Sequence, residues 1–137
     1  MPIDPALAGR AFPAAAPVTI TQDAIDRFAA SLRAPTGGAA PPTFGFSLVV
    51  AAWQPMFDDP DVDIELHRLV HADQRFTAAR ALRAGDRVVA AATLTSVRAL
   101  PGSDRVVVDT TLTDETGTQL GTATSVLMCA HATPEQP

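Results

Sequence analysis

The stretch TFGFSLVVAAWQPMF, residues 43 to 57, holds the longest dense apolar run of the chain and decides the fold. It shows neither the alternation of a strand nor the polar stripe of a surface helix. A helix that is apolar on every side is enclosed by other elements. The sequence therefore predicts a buried helix over residues 43 to 54, ended near Pro55 because proline removes a helical hydrogen bond.

The chain after this helix has the composition of a β-sheet. Four segments rich in valine, threonine and small residues follow, and the turn sequences PGSD and DETG separate the last three of them. We expect antiparallel strands joined in a meander near residues 68 to 79 and over RVVAAATLTSVRAL, RVVVDTTLT and TQLGTATSVLMCA. One buried helix followed by such strands indicates an α+β domain whose sheet wraps the helix, which is the outline of a hot-dog fold.

The segment before the buried helix predicts a shorter helix and a loop. In TQDAIDRFAASL, helical spacing places four apolar residues on one face, namely Ile25, Phe28, Ala29 and Leu32. With Thr21 as a plausible N-cap, this predicts an amphipathic helix over residues 22 to 33. The following RAPTGGAAPP, residues 33 to 42, is rich in proline and glycine and is expected to be a loop.

Length and composition fit a single domain over residues 1 to 137, with a short flexible C-terminal tail from about residue 132. The N-terminus lacks the features of a secretory signal and no apolar run suits a bilayer, so we expect a cytoplasmic protein. A net charge of -5, with ten arginines and no lysine, argues against binding nucleic-acid phosphates by bulk charge. One cysteine, Cys129, and three histidines predict neither a disulfide nor a metal centre.

Three segments together resemble the MaoC-type dehydratase family, in particular its N-terminal-domain branch. They are PPTF at 41 to 44, HADQRF at 71 to 76 and LRAGDRV at 82 to 88, and the similarity extends from about Gly9 to Leu127. That branch includes the non-catalytic subunits of heterodimeric (3R)-hydroxyacyl-thioester dehydratases. The resemblance implies a hot-dog fold, dimers whose sheets join side by side, an acyl chain on a pantetheine arm along the central helix, and neither a metal nor another cofactor.

The chain departs from the family at the residues that carry its chemistry. Catalytic members have an Asp and a His in a GDxNPxH-like loop after the first helix, where this chain has RAPTGGAAPP. Dehydration needs a base, an acid for the leaving oxygen and donors for the thioester oxygen. The missing pair predicts a subunit that binds acyl-CoA or an acyl carrier protein in fatty-acid or polyketide metabolism but is inactive alone. A dyad-bearing MaoC-like partner would supply the Asp and His, and a homodimer is the alternative assembly.

The stretch HADQRFTAARALRAGD, residues 71 to 86, contains the candidate site residues. In an extended strand His71 and Asp73 share one face, so the carboxylate could orient or charge the imidazole of a catalytic pair. The simpler interpretation, which we favour, is a polar strand entrance in which Gln74 satisfies nearby backbone groups. We expect four residues to contact the substrate: Phe44, Gln74, Arg75 and Arg83.

The arginines of this stretch have two interpretations. Three of them, Arg75, Arg80 and Arg83, crowd one short window together with Arg87, which directly follows the stretch. Guanidinium groups suit a pantetheine phosphate or an acidic carrier protein. A solvated sheet edge that discourages aggregation explains them equally well.

Other functions stay open at this stage. A self-sufficient dehydratase would use His71 with Asp73, and a binding or scaffold module would need no chemistry at all. A hot-dog thioesterase usually places an acid on or near the central helix, but residues 43 to 57 contain none. Ser47 lacks the second glycine of a nucleophile elbow, and Cys129 lies in an apolar strand that predicts a core position.

Overall fold

The computed structural model of the chain describes residues 3–132. Its helices are α1 (Gln22–Ser31), α2 (Phe46–Ala52) and α3 (Gln54–Asp58). Its strands are β1 (Arg10–Ala11), β2 (Val18–Thr19), β3 (Leu69–Ala78), β4 (Arg87–Leu100), β5 (Ser103–Thr113) and β6 (Gln119–Ala130). The predicted α+β hot-dog architecture is confirmed, while most of the expected C-terminal tail lies outside the described residues.

The strands form one antiparallel sheet in the order β1-β4-β5-β6-β3, with β2 also paired to β4. Strands β4, β5 and β6 make the expected meander, but the predicted place of β3 beside β4 was wrong, because β3 pairs with β6. The connection over residues 79 to 86 is longer than the roughly two to five residues of a hairpin, so it can cross to the far edge. Strand β3 is therefore the edge strand of the sheet, next to β6.

The core lies between the inner face of the sheet and α2. Every second residue is buried there along the first half of β4, at Val88, Ala90, Ala92 and Leu94, and along β5, including Val106, Val108 and Leu112. The helix contributes Leu48, Val49 and Ala52 to the same cluster, followed by Trp53. Burying each large apolar side chain contributes about 1.5 to 3 kcal/mol, so this contact supplies much of the folding free energy.

Helix α2 is shorter and less enclosed than predicted. It ends at Ala52, and Pro55 lies in the first turn of α3, where the missing N–H of proline is not needed. One side of α2 is buried, but the other side is exposed at Ser47, Val50 and Ala51. Val50 keeps 40% of its surface exposed, so within one chain the helix has an apolar side that nothing covers in the described structure.

Helix α1 begins at the predicted cap, since Thr21 Oγ1 accepts from the Ala24 N–H at 3.1 Å. It ends two residues earlier than predicted, at Ser31, and Leu32 is consequently 52% exposed rather than buried. The loop after it is held to the helix by Asp26, whose Oδ1 accepts from the Gly37 N–H at 2.9 Å. That backbone donor, together with the Gln22 amide, holds the pKa of Asp26 below its usual value.

The LRAGD segment builds the turn into β4. Arg80 donates from both Nη atoms to the two Asp86 oxygens, at 2.8 and 2.9 Å. The Arg83 N–H donates to Asp86 Oδ2 at 2.8 Å, and Gly85 has a φ of +93° that favours glycine. Only 15% of the Asp86 side chain is exposed, and the Arg80 hydrogen bonds lower the pKa of its carboxyl. Arg80 is therefore a structural residue here.

Replacing Asp86 by Asn is expected to lower the free energy of unfolding by about 1.5 to 3 kcal/mol, because charged hydrogen bonds are lost. The folded pKa lies below the ordinary 3.8, so this stabilisation is present above that value and is lost as the pH falls through the lowered pKa. Urea denaturation at pH 7 and in acid measures both effects. Asp23→Asn is the control, because its pair with Arg27 is exposed and is worth at most about 0.5 kcal/mol. Equal costs for the two variants would contradict the assignment.

Candidate functional site

A cavity of about 680 Å³ opens between the uncovered side of α2, the inner side of β3 and helix α1. Nine residues line it: Phe28, Pro42, Thr43, Phe46, Ser47, Val50, His71, Gln74 and Phe76. Most of the wall consists of apolar atoms, and none of these nine side chains is acidic. The cavity therefore suits an apolar molecule that has one polar end.

A bulge in β3 decides which polar side chains reach the cavity. The register pairs His71 with Leu127 and Asp73 with the adjacent Val126, so Ala72 is an extra residue. One extra residue shifts the alternation of side chains along the strand. His71 therefore faces inward and Asp73 outward, and the expectation that the two share one face was wrong.

Gln74 takes the place beside His71 that was expected for Asp73. Its Oε1 accepts from Ser125 Oγ at 2.6 Å and lies 3.0 Å from His71 Nε2. The Gln74 Nε2 group donates to the Arg75 carbonyl at 2.9 Å, which fixes the orientation of the amide. Because an amide oxygen only accepts, His71 Nε2 is the donor, and the free lone pair of the neutral ring lies on Nδ1.

Two aromatic rings hold the imidazole of His71. The Phe46 ring stacks on it with centroids 5.3 Å apart and an interplanar angle of 10°. The Trp53 ring meets it edge-on at 5.6 Å, and Trp53 is only 4% exposed. The ring of His71 is thus fixed against the end of α2 as one wall of the cavity.

The other predicted substrate-binding residues lie away from the cavity surface. Phe44 is buried and packs edge-on against Phe28 with centroids 5.5 Å apart, so it supports the wall from behind. The Arg75 side chain points outward, is 83% exposed and lies 3.8 Å from Asp73. Arg83 is exposed in the turn before β4. Of the four, the structure brings only Gln74 to the cavity.

Of the cavity residues and their partners that the sequence reasoning missed, three are informative. Phe46 and Phe76 line the cavity, and Ser125 is a fully buried polar residue bonded to Gln74. Phe76 could have been found, because it follows Gln74 by two positions and so shares its face of the strand. Ser125 carries no such local signal, since it lies 51 positions from Gln74 along the chain.

A second group of titratable side chains lies near the C-terminal end of β6 and consists of Cys129, Asp104 and His131. Burial, with a smaller contribution from Asp104, raises the pKa of the Cys129 thiol to about 11, which fits a core residue rather than a nucleophile. Asp104 is 1% exposed, accepts from the Ile3 N–H at 2.8 Å and lies 3.0 Å from His131 Nε2. His131 keeps only 27% of its side chain exposed.

Two general properties concern residues 3–132. No cluster of three or more His, Cys, Asp or Glu side chains in this range is arranged to hold a metal ion. Within the same range, no helix has the length and apolar character needed to cross a membrane.

Sequence comparison gives one family match and several close relatives. A model described as the FAS1-like, dehydratase domain region matches residues 6–123. A UPF0336 protein of Cutibacterium acnes is 38% identical over 133 residues, covering 93% of this chain and 92% of the relative. A UPF0336 protein of Streptomyces coelicolor is 31% identical over 147 residues, covering 96% and 98%.

Structural comparison finds the same fold in solved dehydratases. The truncated HadBC (3R-hydroxyacyl-ACP dehydratase) complex of Mycobacterium tuberculosis superposes with a TM-score of 0.78 at 23% identity, over 89% of this chain and 96% of that one. A MaoC-like dehydratase gives a TM-score of 0.80 at 22% identity, over 93% of this chain and 43% of that one. At these identities the likeness establishes the fold.

Proposed function

We propose that this chain is an acyl-thioester-binding subunit of a (3R)-hydroxyacyl-thioester dehydratase. The premise is that the chain belongs to the family described as the FAS1-like, dehydratase domain region and has the fold of MaoC-like dehydratases. A partner subunit of the same fold supplies the Asp and His that transfer protons. The substrate is an acyl-CoA or an acyl carrier protein of fatty-acid or polyketide metabolism in the cytoplasm. The HadBC complex supports this proposal as a fold relative whose name describes a two-subunit (3R)-hydroxyacyl-ACP dehydratase.

The observation that carries the proposal is the chemistry of the cavity wall. The cavity is large and apolar, as an acyl chain requires, but its nine lining residues include no acid and only one histidine. That histidine, His71, donates its Nε2 proton to Gln74 and has no carboxylate beside it on the inner face. Such a wall can bind an acyl chain, but it has no carboxylate to pair with the imidazole, so the acid-base pair of a dehydration is incomplete.

The loop that carries the dyad in catalytic relatives has a structural role in this chain. Its backbone is fastened to α1 through two hydrogen bonds, from Gly37 N to Asp26 and from Gln22 Nε2 to the Gly38 carbonyl. Asp26 is the acid that hydrogen-bonds to this loop, and its Oδ1 already accepts from Gly37 N and Gln22 Nε2. The proposal therefore places proton transfer on another subunit.

The exposed elements beside the cavity suit a partner of the same fold. Among residues 3–132, β3 pairs with β6 alone, so its outer edge presents unpaired backbone groups. Three large apolar residues are exposed on or near this edge and on α2: Leu66 at 60%, Val70 at 63% and Val50 at 40%. A second sheet joined along β3 would satisfy the backbone groups and cover the open side of α2.

The purified chain is expected to show almost no hydration of a crotonyl thioester, and co-expression with a MaoC-like subunit that has the intact Asp and His is expected to give turnover. Absorbance of the enoyl thioester measures the reaction. The partner expressed alone is the control, because it shows how much activity depends on this chain. Strong hydration by the homogeneous chain alone would overturn the partner proposal and favour a self-sufficient enzyme.

A further inference from the structure

Phe76 separates the large cavity from a second one. The second cavity has a volume of about 270 Å³ and lies between the segment before α2 and the end of β3. Among residues 3–132, only Phe76 and Pro42 line both cavities. Leu82 and Leu120 line the second cavity, and its one charged residue, Arg80, is already paired with Asp86. Behind Phe76 there is thus an apolar space that continues the first.

The ring of Phe76 packs against two glycines, Gly45 and Gly121. A Cβ added to Gly45 would come within 2.8 Å of the Phe76 Cζ atom, and one added to Gly121 would come within 3.4 Å. Real Cβ atoms avoid the first distance, so the ring fits here because Gly45 has no side chain. The ring therefore packs closely against the Gly45 backbone at the boundary between the two cavities.

The order of polar and apolar side chains along β3 indicates how an acyl thioester would be oriented in the cavity. His71 and Gln74 form the polar part of the large cavity, and Phe76 follows them along the inner face of the strand. Beyond Phe76 the inner face continues with Ala78, which lines the second cavity. A thioester group is better solvated beside the polar pair, so the apolar tail extends towards Phe76.

We propose that Phe76 sets the maximum acyl-chain length that the site accepts, by closing the large cavity before the second one begins. This inference rests on the proposed function, because it takes the occupant to be an acyl thioester. Chains that end at Phe76 gain affinity from each methylene that is buried. Longer chains gain nothing further, because their last carbons meet the ring instead of the space behind it.

Binding of saturated acyl-CoAs of graded length, from butyryl to palmitoyl, tests this inference without any partner. The chain has a single tryptophan and no tyrosine, so its fluorescence reports on Trp53, which contacts two cavity residues, Phe46 and His71. We expect the dissociation constant to fall about fourfold per methylene up to a limiting length and then to level off. In Phe76→Ala and in the milder Phe76→Leu, the limit is expected to move to chains several carbons longer.

Two further variants separate length selection from a general loss of binding. Phe28 lines only the large cavity, so Phe28→Ala is expected to weaken all lengths without moving the limit. Ala81 is exposed and lines only the second cavity, so Ala81→Leu combined with Phe76→Ala is expected to restore the original limit. A limit unchanged in folded Phe76→Ala and Phe76→Leu would overturn the role of Phe76 alone. Absence of binding at every length by the wild-type chain would overturn the proposed function as well.

Discussion

Trp53→Ala is expected to lower the free energy of unfolding by about 3 to 5 kcal/mol, the usual cost of truncating a large buried aromatic side chain. Trp53 is 4% exposed and lies at the end of α2, where its ring meets Phe46, Phe57 and His71 edge-on. Removing it leaves a hole between α2, α3 and β3. Because whole domains are stable by only about 5 to 15 kcal/mol, this single change removes a large part of the total.

Urea denaturation followed by circular dichroism measures this cost, since the variant has no tryptophan fluorescence. Trp53→Phe is the matched control. Among the described residues, the indole Nε1 is buried without a hydrogen-bond partner, and phenylalanine removes that unsatisfied donor while keeping most of the ring. We expect Trp53→Phe to cost much less than Trp53→Ala. An unchanged denaturation midpoint in Trp53→Ala would contradict the contact between the ring and the sheet.

In the assembled complex, replacing the catalytic His of the partner is expected to lower the rate by about 10² to 10⁴, the usual cost of losing a positioned general base. His71→Ala in this chain is expected to lower the rate by less than about tenfold, because in the proposed function His71 shapes the cavity while the partner subunit transfers the protons. Asp73 faces the other side of the sheet and no acidic residue lines the cavity, so the His71 imidazole lacks the carboxylate of a catalytic pair. Steady-state kinetics on an enoyl thioester, with kcat and KM reported separately, measures the difference.

Asp73→Asn is the matched control on the outer face. It should leave both kcat and KM unchanged, because the Asp73 side chain is 57% exposed and contacts only Arg75 among its charged neighbours. If His71→Ala and Asp73→Asn each abolished turnover while the protein stayed folded, the two residues would form a catalytic pair after all. That result would reject the proposal that a partner subunit supplies the Asp and His that transfer protons.

The family and the fold could be predicted because their signals are local. The apolar run around α2, the alternation of β4 to β6 and the motifs PPTF, HADQRF and LRAGDRV each occupy a few consecutive residues. The hot-dog fold inferred from them is confirmed by the architecture and by the solved structures, and the family match confirms a dehydratase-domain family. The subunit role, which was inferred from the loop without Asp and His, stays a prediction.

The site was predicted less well, because its residues come from segments that are distant in sequence. Gln74 was expected at the site and does line the cavity, whereas Phe44 lies behind the wall and Arg75 and Arg83 point to solvent. The four arginines lie close together in the sequence, but Arg80 is paired with Asp86 in the turn before β4. Proximity along the chain therefore did not indicate a shared function.

By itself the sequence determined the secondary structure of the core. It also determined that the loop at residues 33 to 42 contains no Asp and no His, because both properties depend on residue types at short spacing. Only the tertiary structure decided that β3 lies beside β6, and that the bulge at Ala72 turns Asp73 away and brings Gln74 to His71. Strand register depends on the partner strand, and β6 lies about fifty positions further along the chain. No local pattern within β3 contains that information.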